Sequence, residues 1–105
     1  MKISLITVAL NAEEFLEGCI QSVLNQTYKN IEYIIIDGHS TDSTLSVIQK
    51  FDNHISKLIS EKDLGIYDAM NKVIAIATGD IVWILNADDF LAEHTILESI
   101  AKEFS

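Results

Sequence analysis

Four short apolar runs alternate along this chain with segments whose apolar residues recur at helical spacing. Ile3 to Ala9, Ile31 to Asp37, Ile55 to Ser60 and Ile81 to Leu85 read as strands, the third the weakest of them. Phe15, Cys19 and Val23, with Leu16, Ile20 and Leu24, mark a first helix. Further helices run from about Ser43 to Phe51, from Ile66 to Ala77 and from Ala92 to Phe104. The order is therefore β-α-β-α-β-α-β-α. Right-handed crossovers between parallel strands then place helices on both faces of one sheet. An α/β, Rossmann-like parallel sheet is the expected fold, with strand one central and a switch point beside it. With 105 residues, no proline, no repeat and no linker, residues 1–105 read as a single domain.

Local signals refine this outline. Asn11 and Glu14 have the spacing of a capping box at the start of the first helix. Ile66, Met70, Val73, Ile74 and Ala77 share the inward face of the third, which Gly79 ends as a C-cap. Leu97, Ile100, Ala101 and Phe104 face inward on the last. The five consecutive apolar residues Ile81 to Leu85 read as a strand buried on both faces, with Trp83 in the core.

Composition excludes several function classes. Seven Lys and no Arg stand against 16 Asp plus Glu, for a net charge of -9. Such a surface disfavours nucleic acid or an anionic membrane as main partner. A nucleotide stays open, because a bound cation reverses the local field. The single cysteine, Cys19, lies on an apolar helix face, so core packing in a reducing cytoplasm is its simplest setting. No stretch approaches the roughly 20 apolar residues that span a bilayer. Met1 to Ile6 reads as a first strand and not as a signal peptide. The histidines have no metal-ligand spacing, and neither the dinucleotide nor the P-loop glycine pattern occurs.

Three polar clusters fall at predicted strand ends, the edge where open α/β sheets bind ligands. They are Asn11, the run Asp37-Gly38-His39-Ser40-Thr41-Asp42, and Asn86-Ala87-Asp88-Asp89. Adjacent carboxylates at 88 and 89 suit a divalent cation that in turn holds a diphosphate. They also suit the cap of a following helix, and the residues alone leave both open. Asp37 has the chemistry to accept from a base N–H or a ribose hydroxyl, but by itself reads first as a turn residue before Gly38. Ser40, Thr41 and Asp42 read first as helix caps. Tyr67, Asp68, Asn71 and Lys72 share one helix face, read either as a solvated face with Asp68 and Lys72 paired at i, i+4, or with Lys72 offsetting phosphate charge.

Together these segments resemble a family 2 glycosyltransferase with the GT-A fold. Ile3 to Asn11 resembles that family's first strand and its Thr-Tyr-Asn-like turn. Ser22-Val23-Leu24-Asn25-Gln26-Thr27-Tyr28 is similar to its Ser-hydrophobic-x-x-Gln-Thr-Tyr segment. Ile34 to Thr44 resembles the Asp-Gly-x-Ser-Thr-Asp-x-Thr signature after the second strand. Asp63 to Lys72 looks like the Asp-x-Gly-Ile-Tyr-Asp-Ala-Met-Asn-Lys run of a bacterial subgroup. Leu85 to Asp89 resembles the family's Asp-x-Asp motif. The five occur in order and cover essentially the whole chain.

The resemblance implies a metal-dependent, inverting transfer of sugar from a nucleotide-diphosphate sugar, UDP-sugar favoured, to a saccharide or lipid-linked acceptor. Synthesis of bacterial surface polysaccharide is the implied setting, in the cytoplasm or peripherally at the inner face of the plasma membrane. It implies Asp88 and Asp89 as ligands of Mn²⁺ or Mg²⁺. Around the nucleotide it places Val8, Leu10, Asn11, Asp37, Asp68, Asn71, Lys72, Asn86 and Ala87, with Asp37 on the base. Two positions depart from the pattern: Asn86 stands where Asp is usual, and Leu10 where many members stack an aromatic. Family members carry a second half with the acceptor site and the general base. The expectation is that residues 1–105 are the N-terminal part of a longer catalytic domain, with the base outside them and little transfer by the chain alone. A non-catalytic nucleotide-sugar or metal-binding module is the alternative. A phosphoacceptor signalling domain wants an acidic pair after strand one, which Val8-Ala9-Leu10-Asn11 does not supply. An open sheet edge makes pairing between chains a further expectation.

Overall fold

The computed structural model describes residues 1–60, 71, 73–75 and 77–104. Strands β1 (Ile3–Ala9), β2 (Ile31–Asp37), β3 (Lys57–Ser60) and β4 (Ile81–Asn86) form one sheet in the order β3-β2-β1-β4. Every pairing is parallel. Helices α1 (Leu16–Leu24), α2 (Thr44–Lys50) and α3 (Ile96–Phe104) accompany it, with a short 3-10 turn at Asp52–His54. Residues 71 and 73–75 are helical as well. The expected α/β architecture is therefore present, with β1 between β2 and β4 and the switch point between β1 and β4.

Alternation along β1 and β2 separates two cores. Ile3, Leu5 and Ala9 with Tyr33 and Ile35 face Leu16, Cys19, Ile20 and Val23 of α1, Val47 and Ile48 of α2, and Leu97 and Ala101 of α3. Ile6, Val8, Ile34 and Ile36 face the other way, against Val73. All seven residues of β1 are buried. A strand covered on both faces needs apolar side chains at odd and even positions alike.

Several local expectations are corrected. Strand β4 is not buried on both faces: Val82 is 39% exposed and Ile84 43%, while Leu85 is buried. Among the described residues β4 has a strand neighbour on one side only. An apolar run reports β-propensity but not position within the sheet. The last helix begins at Ile96 and not Ala92, and Phe104 is 64% exposed at its end. Ile74, expected inward, is 44% exposed. The turn at Asp52–His54 delays β3 to Lys57.

Helix α1 does not start on an Asn11–Glu14 capping box. It begins at Leu16 with no side-chain cap, because Asn11 is engaged across the loops, as described below. Gly79 is required by close approach. A Cβ there would lie 2.6 Å from both the amide nitrogen and the hydroxyl of Ser4. The Gly79 amide donates to that hydroxyl at 2.8 Å.

At the opposite end of the sheet from the three clusters, Glu32 is a buried charge with full partnership. Its carboxylate accepts from the Ser4 hydroxyl at 2.9 Å and from the amide and hydroxyl of Thr78 at 3.0 and 2.9 Å. Lys57 Nζ lies 3.5 Å away. Burial pushes the Glu32 carboxyl up, but these hydrogen bonds and the lysine outweigh it and hold it at about 2. The group ties β1, β2 and β3 to the turn that leads into β4.

Candidate functional site

Strand register aligns the carboxyl ends. Asp37 pairs with Ala9 on one side and Ser60 on the other, and Asn86 pairs with Val8. The loops carrying all three polar clusters therefore leave the sheet at one edge.

The first two loops are joined to each other. Asn11 has φ 47° and His39 φ 64°, a left-handed conformation that Asn tolerates best among residues with a Cβ. This turns Asn11 Oδ1 toward the next loop, where it accepts from the Thr41 amide at 2.9 Å. The Asn11 amide donates to Ser40 Oγ at 2.9 Å, and the Ser40 hydroxyl donates in turn to Asp37 Oδ1. The Ala12 amide donates to Thr44 Oγ1 at 2.9 Å, and the Gly38 amide to the Ala9 carbonyl at 2.9 Å.

Asp37 is fully buried at the centre of this arrangement. Besides the Ser40 hydroxyl, it accepts from the Ser40 amide at 3.2 Å and from Ser60 Oγ at 3.0 Å. Ser40 and Thr41 thus join the loops and do not cap α2. Asp42 does not sit at the N-cap either, which is Ser43 without a side-chain cap bond; it accepts from the Thr44 amide at 2.9 Å from just ahead of the helix. Hydrogen bonding from the Thr44 hydroxyl holds its carboxyl below the ordinary range. Leu10 is 54% exposed and lies over Gly38, where a Cβ would come within 3.3 Å of Leu10 Cδ1.

The third loop presents its carboxylates outward. The Ala87 amide donates to the Val8 carbonyl at 3.1 Å, and the Asp89 amide to the Asn86 carbonyl at 3.0 Å, closing a turn. Val8 and Ala87 are buried, while Asn86, Asp88 and Asp89 are exposed. Since α3 starts at Ile96, neither Asp88 nor Asp89 caps it, and that alternative falls. A cleft of about 500 Å³ runs from this turn to the start of α1, between Phe15 and Phe90, with Glu14, Cys19, Asp88 and Asp89 on its walls.

Beneath the turn lies a polar group that the sequence did not announce. Tyr33 OH and Thr7 Oγ1 are 3.0 Å apart, Thr7 Oγ1 and Cys19 Sγ 3.9 Å, and the Cys19 thiol donates to the Asn86 carbonyl at 3.7 Å. Burial pushes the Cys19 thiol up, and the charges of Asp89 and Asp88 add to this, so the sulfur keeps its proton. Gln26 is likewise buried. Its amide nitrogen donates to the carbonyls of Glu93 at 2.7 Å and Ser22 at 3.2 Å, and its oxygen accepts from the Leu97 amide at 3.1 Å. Gln26 is therefore the remote cap of α3. Ser60 gave no signal either; only the register of β2 with β3 brings it to Asp37.

Asn71 is exposed on helical backbone. The expected roles of Asp68 and Lys72, and the face they share with Tyr67, lie outside the described residues. Among the described residues no group of three His, Cys, Asp or Glu side chains converges on one point. Two adjacent, exposed carboxylates on one turn are the donor set of a hard cation shared with phosphate oxygens, as opposed to a cation caged by protein alone. Asp88 and Asp89 fit that use.

The sequence profile of Glycosyl transferase family 2 matches residues 4–105. The chain belongs to glycosyl transferase family 2. A "PGL/p-HBAD biosynthesis glycosyltransferase" of Mycobacterium bovis (strain BCG / Pasteur 1173P2) is 36% identical over 101 residues, covering 93% of this chain and 40% of the relative. Among solved structures of the family's fold, mannosyltransferase PcManGT from Pyrobaculum calidifontis, in complex with GDP-Man and Mn²⁺, superposes with a TM-score of 0.86. It is 25% identical, with 96% of this chain and 31% of that one covered. S. aureus TarS 1-349 in complex with UDP-GlcNAc gives a TM-score of 0.83 at 25% identity, covering 97% and 30%. The chain thus spans about two fifths of the M. bovis relative's length.

Proposed function

We propose that this chain binds the donor in a glycosyltransferase that moves a sugar from a nucleotide-diphosphate sugar to an acceptor hydroxyl, with inversion and with a divalent metal. The observation that carries this reading is the gathering of the Asn11, Asp37 to Asp42 and Asn86 to Asp89 loops at one edge of a parallel sheet. The bound neighbours are consistent with it, since one holds GDP-Man with Mn²⁺ and another UDP-GlcNAc.

In this reading Asp37, positioned by Ser40 and Ser60, accepts from the base. Leu10, Asn11 and the backbone of Val8 line the nucleotide, and Asn86 and Ala87 its ribose side. Asp68, Asn71 and Lys72 complete the nucleotide-binding set, with Lys72 offsetting phosphate charge. Asp88 and Asp89 hold Mn²⁺ or Mg²⁺. When bound, such a cation offsets diphosphate charge and improves the leaving group. The acceptor oxygen forms the new bond to the anomeric carbon as the bond to the diphosphate breaks. The hydroxyl proton passes to a general base that we assign outside residues 1–105.

UDP-sugar is the favoured donor, a saccharide or lipid-linked alcohol the acceptor, and bacterial surface polysaccharide the product, made at the cytoplasmic side of the membrane. Self-association through the open edge of β4 belongs to the same reading, with Val82 and Ile84 as its apolar contacts; a monodisperse monomer by light scattering would count against it.

Calorimetric titration with UDP, GDP and CMP, each with and without Mn²⁺, tests the donor site, with Asp88→Asn as control. Binding of one nucleotide that needs Mn²⁺ and fails in the variant is expected. Binding that ignores both metal and variant would overturn the metal role. Metal-dependent nucleotide binding without turnover would favour the non-catalytic alternative. No binding of any nucleotide to the folded chain would mean a site completed from elsewhere or a failed glycosyltransferase reading, which the same titration on a longer chain separates.

A further inference from the structure

The exposed turn that carries Asp88 and Asp89 is held at both ends by one face of α1. On the near side, the Cys19 thiol donates to the Asn86 carbonyl at 3.7 Å. That carbonyl also accepts the Asp89 amide, so the bond closing the turn and the bond anchoring it share one oxygen. On the far side, the Leu91 amide donates to Ser22 Oγ at 3.0 Å. The Ser22 hydroxyl spends its own proton on the Cys19 carbonyl at 2.7 Å, which leaves its oxygen free to accept. Cys19 and Ser22 are three apart and so lie on one helix face.

Proton counting gives the near anchor a direction. Tyr33, Thr7 and Cys19 each bring one proton. With the thiol donating to Asn86, the Thr7 hydroxyl donates to sulfur and the Tyr33 hydroxyl to Thr7. Every donor is used, and the chain of bonds ends on the carbonyl that opens the turn. Thr7 is 0% exposed, Cys19 1% and Tyr33 2%, so water does not compete for these bonds. Between the two anchors Asp88, Asp89 and Phe90 are exposed.

We infer that Cys19 and Ser22 are positioning residues that clamp the two ends of the Asn86–Leu91 loop, fixing where the Asp88 and Asp89 carboxylates stand. That the clamp serves donor binding rests on the function proposed above. Two carboxylates on a loose loop would have to be ordered when a cation binds, and a preset loop avoids that cost.

The test uses Cys19→Ala, Ser22→Ala and the double variant, with Cys19→Ser and Ser22→Thr as conservative replacements that keep a donor or acceptor. Amide hydrogen exchange at Asp89 reads the turn, and exchange at Ile6 and Ile35 reads the fold. In the double variant, Asp89 exchange should rise about tenfold while the two core amides hold, with each single variant intermediate and the conservative ones near wild type. Mn²⁺-dependent UDP affinity should fall about threefold to tenfold in step. Unaltered Asp89 exchange in a double variant with intact core protection overturns the clamp, as does a rise at Asp89 that only tracks a rise at Ile6 and Ile35. If exchange responds as stated but the wild-type chain binds no nucleotide with Mn²⁺, the clamp stands, and the same titration on a longer chain decides the donor-site proposal.

Discussion

The amide of Thr41 donates to Asn11 Oδ1 at 2.9 Å across the loops that follow β1 and β2. Asn11 reaches it from a left-handed backbone, φ 47°. Two substitutions separate the contributions of side chain and backbone. Asn11→Gly keeps the conformation and loses the bond, at roughly 0.5–1.5 kcal/mol. Asn11→Ala loses the bond and strains the backbone, which adds about 1–2 kcal/mol. Urea denaturation of the two variants should show that order, with alanine the worse.

Glu32 makes the acid limb of stability. Its carboxyl sits at about 2 in the folded chain, against an ordinary value of 4.5. A depressed folded value means that the contribution is complete above about pH 4.5 and is lost as pH falls from there toward 2. Glu32→Gln should lower the Tm at pH 7, by an amount corresponding to roughly 2 kcal/mol. It should also flatten the fall of Tm between pH 4.5 and 2 relative to wild type. Parallel profiles for the two proteins would show that other carboxylates set the acid limb.

Glycines 18 and 79 should respond oppositely to alanine. At Gly79 the new methyl meets the backbone nitrogen of Ser4 at 2.6 Å, so β1 or the turn must shift, at roughly 1–3 kcal/mol. At Gly18, inside α1, nothing lies within 4 Å of the added carbon. Gly18→Ala should stabilise by up to about 1 kcal/mol through helix propensity. Thermal melts of both variants check the contrast.

Gln26→Ala removes the remote cap of α3 and leaves the Leu97 amide and the Glu93 carbonyl without their partner. The buried Leu97 amide left without its partner costs about 1–3 kcal/mol, so a loss of that size is expected. Gln26→Glu keeps the acceptor for Leu97 but turns the donor to Glu93 into a second acceptor. It should destabilise at neutral pH and recover on acidification, as followed by circular dichroism.

Short-range pattern carried much of this protein. Element order, the parallel sheet, the central place of β1 and the three polar loops at one edge all follow from periodicity and from the handedness of crossovers. Membership of the family was legible in the Asp37 to Thr44 and Leu85 to Asp89 segments, whose residue types and spacing stand in the chain itself. Partnership was not legible. Asn11 looked like a helix cap and became a link between loops, because its best donor, the Thr41 amide, arrives only when β1 and β2 pair in register. Ser60 meets Asp37, Gln26 caps α3, and Glu32 gathers Ser4, Thr78 and Lys57 for the same reason. Strand β4 read as doubly buried since its five apolar residues report β-propensity, whereas its edge position depends on which strands lie beside it. Secondary structure is written in periods of a few residues, so the sequence by itself determines it here. The partner of a buried polar group is chosen by segments many residues apart, and only tertiary packing decides that.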